Sequence, residues 1–543
     1  MKKNLIKLAV ILISAFVLYY FLLPAINIHD IKFWLFIIFL ALEYFFLDIS
    51  FSQKKVKIAT KTMTVPDIKA SKISSKICLG IIAVSIVYIF ATTLIYSPLF
   101  MAGTYANRIS IESVSFDEIP AYSFNTTAII DRDSASNLGN KVMGEMIDLV
   151  SQFTASDEYS QISYQEGTYR VTPLNYDGFI KYLKNRGEGI PGYIIVNTTT
   201  GETVLNRLDK KMRYVPSAYF NEDLMRKLRF SYPFDIFGSP TFEIDEEGNP
   251  YYVCTTYTYN GVNALKRVTG AVLFNPIDGS SVKYAIEDIP TWVDRIYPED
   301  LVNEELNDYG QYSNGFFNSF IGQEGVIQAS EGYNYISKNG DIWLYTGMTS
   351  VVADDSNIGF ALVNLRTHQA QLIPTSGADE YSVMASAEGE VLNYGYTATF
   401  PVLVNVDNKP IYLLSLKDSA GLVKMYAMVD AQDYQQVYTI SADKDTKTAI
   451  EELIKKISND PTTIYSDLNE ATIIIENIET VIHEGNTIYY IQSAGNIYEI
   501  AFDDSYKEYI LFLDIGDELK VYYEDGAIKV VKQIVSRKEN AQQ

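Results

Sequence analysis

The stretch Gly192–Leu205, GYIIVNTTTGETVL, decides the fold. Its apolar alternation around an Asn-Thr-Gly turn predicts a two-stranded hairpin with one buried face. It comes back as GAVLFNPIDGSSVKYA from Gly270, as GFALVNLRTHQAQLI from Gly359 and, more loosely, as KMYAMVDAQDYQQVYTI from Lys424. Working outward, each hairpin follows a strand that carries an aromatic: EGTYRV at Tyr169, EGNPYYV at Tyr251, NGDIWLY at Trp343 and DNKPIYLL at Tyr412. Helical patterns precede most of these strands. In LGNKVMGEMIDLVSQF, residues Val142, Met146, Leu149, Val150 and Phe153 fall at helical spacing, and NEDLMRKLRFSYP reads as a helix capped by Asn221 and stopped at Pro233. A helix laid on the buried face of the hairpin would complete a small core, so the repeat predicts a repeated folding unit.

The order of helix, G-x-P-x-Y strand and V-D-x-x-T-G-x-V hairpin resembles the PepSY domain, here as EEGNPYYV with GAVLFNPIDGSSV and as EGTYRV with GYIIVNTTTGETV. The resemblance implies modules at 135–218, 219–296, 297–378 and 379–442, after a linker at 103–134. The third module departs most, with Arg366-Thr367-His368 where Thr-Gly is expected, and the fourth lacks the turn glycine. From 443 to 535 the pattern changes. DKDTKTAIEELIKKISNDP reads as a helix with Asp445 as N-cap, an apolar stripe of Ile450, Leu453, Ile454 and Ile457, and Pro461 beyond its end. Short strands follow, and IGDELKVYYEDGAIKVVKQI resembles the last strands of an OB-type barrel, before a tail at 536–543. The expected fold class is therefore α+β and multidomain: N-terminal transmembrane helices, repeated helix-plus-antiparallel-sheet modules and a C-terminal small β-barrel.

Residues 1–102 read as the anchor. Apolar runs span Leu5–Ile26, Ile31–Leu47 and Ile77–Phe100, against the roughly 20 residues needed to cross about 30 Å of hydrocarbon. The second run is short, with Lys32 able to snorkel to its end. A cleaved signal peptide is the competing reading of the first run, but no small-x-small site follows it. Lys2, Lys3 and Lys7, and the loop lysines 54, 55, 57, 61, 69, 72 and 76, predict a cytoplasmic N-terminus, three spans and an outer C-terminal part.

That outer part is acidic. After residue 103 the chain holds 33 Lys/Arg against 63 Asp/Glu, a formal −30. Such a charge disfavours nucleic acid and anionic lipid as partners. Cys78 lies in the third run and Cys254 stands alone outside, so no disulfide is available to the ectodomain. Richness in Ile, Lys, Asn and Tyr points to an AT-rich, Gram-positive bacterial source, in which the sequons at Asn125 and Asn197 carry no glycan.

Chemistry-bearing patterns are sparse. His29, His368 and His483 lack partners at zinc-ligand spacing and read as surface residues, and Cys254 in YYVCTTYTY reads as structural. No G-x-S-x-G, P-loop or G-x-G-x-x-G is present. Asp131 with Asp133, and Asp354 with Asp355, resemble calcium-loop starts but read as solvated turns. Glu43 is an intramembrane polar residue one helical turn from Asp48, expected to snorkel. Trp292, Arg295, Tyr297, Tyr309, Tyr312, Phe316 and Phe317 supply the residue types of binding hot spots and mark a candidate partner surface.

These readings predict a non-catalytic, multi-pass membrane protein whose extracytoplasmic modules bind, scaffold or regulate another exported or envelope protein, with no cofactor and no metal. The PepSY resemblance implies restraint of a protease or control of an assembly. Two other readings stay open: an envelope-acting enzyme or enzyme subunit using carboxylates that the sequence does not pair, and a membrane component of an export or electron-transfer complex.

Overall fold

The computed structural model of the 543-residue chain describes residues 2–51, 53–58, 61–66, 73–119, 122–124, 127–165, 167–351, 353–458, 468–483, 486–502 and 507–538. Asn125 lies outside them. The fold is α+β, with apolar N-terminal helices followed by several antiparallel sheets.

The helices Lys2–Leu22, Ile31–Phe51 and Ile73–Ile95 open the chain. Leu5–Leu22 and Ser75–Ile95 are long and apolar enough to cross a membrane. The helix Ile31–Phe51 packs against both and carries Lys32, Glu43 and Asp48. Both of its acids have polar partners on the other two helices, which lowers the cost of holding them among apolar side chains. Lys7 bridges to Asp48, Ser75 donates to the same carboxylate, and the Ser14 hydroxyl donates to Glu43 at 2.7 Å. Glu43 thus turns toward the first helix rather than snorkelling. The third apolar run is broken by Pro98: one helix ends at Ile95 and another, Pro98–Ala106, begins at a new angle. The lysine-rich loop pairs Gln53–Ile58 with Lys61–Pro66 as a hairpin.

The repeat read from the sequence is present as one topology used four times. A helix precedes two short strands that both pair with the same long strand, and two further antiparallel strands complete the sheet. In the first unit the helix is Arg132–Glu145 and the strands Phe153–Ala155, Ser160–Tyr164, Gly167–Tyr176, Ile190–Asn197 and Thr203–Met212. The second has Leu224–Ser231, then Ile236–Phe237, Thr241–Ile244, Pro250–Tyr259, Lys266–Phe274 and Ser281–Ala285. The third has Glu299–Tyr312, then Ile327–Ala329, Asn334–Lys338, Asp341–Ser350, Ala353–Asn364 and Ala370–Ile373. The fourth has Glu380–Glu390, then Thr397–Ala398, Val402–Val406, Lys409–Lys417, Val423–Asp430 and Val437–Ser441.

The helix ends differ from the sequence reading because caps outrank periodicity. Asp131 accepts from the Ser134 amide and starts the first helix early, so 146–152 falls into turns, Phe153 begins a strand and Val150 is exposed. Asp223, not Asn221, caps the second unit's helix through the Arg226 amide. Asp445 caps Thr446–Ile457 as expected.

Each closing hairpin turns on an Asx side chain that accepts from amides two or three residues on: Asn197, Asn275, Asn364 and Asp430. The next requirement is a left-handed residue, met by Gly201 (φ +76°) and Gly279 (φ +77°). In the third unit His368 takes that place at φ +66°, which is why the glycine could be lost there without losing the turn.

Adjacent sheets share cores. Side chains alternate across a strand, so Tyr252 and Cys254 face a core with Phe242 and with Tyr193 of the first unit, while Val253 faces one with Ile342 and Leu344 of the third. Trp343 and Tyr345 in turn face Leu403 and Tyr412 of the fourth. The units are therefore packed together rather than strung as beads.

The described residues between 107 and 131 are built into this body. Ile111–Ser113 adds a parallel strand to Ala370–Ile373, the Tyr122 amide donates to the Asn405 carbonyl, the Ile130 amide donates to the Thr198 carbonyl, and Lys417 pairs with Asp131 at 2.6 Å. One strap thus ties the third, fourth and first units.

The helix Thr446–Ile457 buries Ile450, Leu453 and Ile454 in the core of the fourth sheet. Full burial of such side chains stabilises by roughly 1.5–3 kcal/mol each. The six C-terminal strands form one sheet with Asn469–Ile474 and Asn477–His483 at its two edges. These edge strands follow each other end to end, and no ladder joins them side by side, so the expected small barrel is not closed.

Candidate functional site

The aromatic segment 292–317 divides into two places. Its first half is a joint between units. Trp292 is half-buried against Tyr251 at 5.1 Å, and the Arg295 guanidinium pairs with Glu299. Tyr297 is buried and stacked on His368, with ring centroids 4.1 Å apart and planes within 4°. His368 also meets Glu305 at 2.7 Å, so it is an interior contact rather than a solvated turn residue. Tyr309 packs beside the core shared by the second and third units.

Beneath this joint lies a buried carboxylate pair that sequence spacing could not show. Glu243 and Asp294 are 0% and 1% exposed. Glu243 accepts from the Asp294 amide at 2.8 Å and the Arg295 amide at 3.2 Å, and Asp294 accepts from the Ser163 amide at 2.6 Å. Burial pushes Glu243 up to about 8, against the pull of those amides, and burial with the Glu243 charge raises Asp294 well above its ordinary value. The pair is closed off from solvent where the first two units and the segment leading into the third meet.

The second half of the segment is exposed. After Tyr312 the chain turns through Gly315 (φ +88°) into a short loop closed by Asn314 and Asn318, whose amides both donate to the Glu324 carbonyl at 2.9 Å. The loop's polar groups are used internally, and its aromatics are left outside. Phe316, Phe317 and Phe320 contact one another at 5.3–5.9 Å. Phe317 is 63%, Phe320 55% and Ile321 74% exposed. Tyr312 links this cluster to Tyr105 of the helix Pro98–Ala106 at 6.2 Å. Phe320 and Ile321 belong to the surface although they fall outside the residues marked in sequence; the signal was the FFNSFI run between Gly315 and Gly322.

The sheet units are seated on one end of the helical bundle by side chains. Carbonyls in the last turn of a helix lack internal partners. Arg226 Nε donates to the Tyr20 carbonyl at 3.0 Å and Arg229 Nε to the Leu23 carbonyl at 3.1 Å, one turn apart on the second unit's helix. The turn at Gly261 lies so close to Tyr96 and Thr92 that a Cβ there would meet them at 2.9 and 3.0 Å. Its carbonyl contacts His29 Nδ1 at 3.2 Å, so His29 too is a docking residue. Arg108, its side chain 1% exposed, reaches Glu304 and Asp308 at 2.6 Å and Glu305 at 3.6 Å on the helix Glu299–Tyr312.

Among the described residues no three His, Cys, Asp or Glu side chains converge as metal ligands. Asp131 is used as a cap and an ion-pair partner, and Asp354 and Asp355 fall in the strand Ala353–Asn364 rather than in a turn. Cys254 is fully buried, and burial raises its thiol far above the reactive range. His483 ends an exposed strand. The chain matches no protein-family model and no curated protein.

Proposed function

We propose that this chain is a membrane-anchored, non-catalytic binding or scaffold protein whose large C-terminal part lies outside the cytoplasm and holds another exported or envelope protein. The observation that carries this reading is the exposed trio Phe317, Phe320 and Ile321, backed by half-buried Phe316, on a loop with internally satisfied polar atoms. Contiguous exposed aromatics on a rigid support are what protein partners bury. The proposed topology has three spans and a cytoplasmic N-terminus. It draws support from the lysine-bearing hairpin, which joins the ends of two helices opposite the end that seats the ectodomain. Four repeats of one helix-plus-sheet topology support the PepSY-like reading, and with it restraint or assembly of the partner.

The test is site-specific photocrosslinking in the native membrane, with the photoreactive residue placed at Phe317. One discrete adduct with an exported protein, lost when Phe320 and Ile321 are changed to Ser, is the expected result. Absence of any discrete adduct from correctly folded protein would overturn the reading.

A further inference from the structure

At the outer end of the helix Lys2–Leu22, a cavity of about 440 Å³ is lined by Phe16, Tyr20, Tyr214, Asn221, Arg226, Lys227 and Phe230. Its apolar wall belongs to the membrane-crossing helix and its neighbour: Phe16 is 64% and Phe230 50% exposed, and Leu12, one turn before Phe16, is 60% exposed. Leu12, Phe16 and Tyr20 thus make one stripe along the helix, ending at the cations.

Those cations stand out in an ectodomain of formal charge −30. Neighbouring cations are matched, Arg186 and Arg213 by Glu222 and Lys283 by Asp235. Among the described residues neither Arg226 nor Lys227 has a carboxylate at ion-pair distance. The acid nearest in effect is Asp223, whose side chain accepts the Arg226 amide as the helix cap. Arg226 is held in place: its guanidinium lies 4.3 Å over the Tyr20 ring and donates to the Tyr20 and Phe220 carbonyls. The Lys227 ammonium meets only the face of Tyr214, at 5.5 Å. Asn221 accepts from the Tyr20 hydroxyl at 3.2 Å, which leaves its amide hydrogens to donate.

We infer that this cavity binds the phosphodiester headgroup of an anionic glycerophospholipid from the outer leaflet. Arg226 and Lys227 hold the phosphate, Asn221 donates to it, and an acyl chain lies along Tyr20, Phe16 and Leu12. A fixed guanidinium beside a mobile ammonium suits a phosphate, and Tyr, Arg and Lys at the end of a spanning helix sit at headgroup depth. A soluble anion would not need the apolar stripe; that stripe is the argument for lipid. The same lipid would pin the second unit to the membrane beside the seat formed by Arg226 and Arg229.

The inference rests on the membrane-anchored reading, and its test keeps the two apart. Full-length protein in neutral detergent is titrated with phosphatidylglycerol or phosphatidylcholine and bound lipid is counted by native mass spectrometry, with inorganic phosphate as a third arm. Phosphatidylglycerol is expected to be retained in preference to phosphatidylcholine. Lys227→Gln, which removes an ammonium with no described structural bond, should weaken that retention roughly fivefold, about the worth of one basic residue at an anionic surface. Lys227→Glu should abolish it with the melting temperature of the lipid-free protein unchanged. Equal retention of both lipids, or a response to inorganic phosphate alone, would overturn the inference. Release of the protein from membranes by alkaline wash would instead overturn the anchor.

Discussion

Replacing Glu243 by Gln should make the protein more stable at neutral and mildly alkaline pH. The carboxyl is completely buried at the meeting of the first three units, and burial lifts it from an ordinary 4.5 to about 8. Because the folded value lies above the unfolded one, the folded state binds more protons through that window. Stability is therefore highest at its acid end, falls as pH rises through it, and has lost the whole contribution above about pH 8. The limiting slope is about 1.4 kcal/mol per pH unit for one proton, so keeping Glu243 neutral at pH 7.5 costs roughly 4 kcal/mol relative to an always-neutral side chain. Gln mimics the protonated acid and keeps one acceptor oxygen, enough for the shorter bond from the Asp294 amide, while the Arg295 amide loses the second oxygen it meets at 3.2 Å. Thermal melts of full-length protein in detergent at pH 5, 6, 7 and 8 should show the wild type losing stability across the series. The variant's curve should be flatter and the two should converge near pH 5. Parallel curves, or a variant less stable at pH 8, would refute the assignment of the buried proton to this pair.

Three further outcomes follow from the packing. Arg108→Met leaves Glu304, Glu305 and Asp308 facing one another and should cost about 3–5 kcal/mol, with part recovered by adding Asp308→Asn; thermal melts of both variants decide it. Burial already holds Asp308 up at about 6 despite the guanidinium, so the loss in Arg108→Met should be largest above that pH, where the unpaired carboxylate would have to ionise. Gly310→Ala would put a Cβ 2.1 Å from the Ile327 carbonyl oxygen, between the third unit's helix and its edge strand, and should destabilise by at least about 1–3 kcal/mol, read from the denaturant midpoint. Asp445→Ala removes a helix cap and should cost about 1 kcal/mol, visible as faster amide exchange confined to Thr446–Ile457.

The local units were legible in the sequence because their causes are local. The hairpin at Gly192–Leu205 and its returns follow from period-two alternation and an Asx turn, and the structure pairs all four as read. Apolar length marked Leu5–Leu22 and Ser75–Ile95, the helices long and apolar enough to cross a membrane. Composition marked Trp292 to Phe317 as unusual but could not divide it, since Tyr297 and Phe317 are alike in a window of sequence and opposite in exposure.

What tertiary structure alone decided is how the units meet. Glu243 and Asp294 lie 51 residues apart and become a pair only because two edge strands and a linker converge. His368 looked like a surface turn residue until Tyr297 stacked on it, and only the fold shows that Tyr122 and Ile130 bond to Asn405 and Thr198 of two different units. The C-terminal strands had barrel-like character, yet whether a sheet closes depends on its first and last strands lying side by side, and here they run end to end. Alternation and caps act over a few residues and are written in the chain. Burial of charge, ring stacking and sheet closure act between residues that the chain keeps far apart, so folding, not sequence order, brings them together.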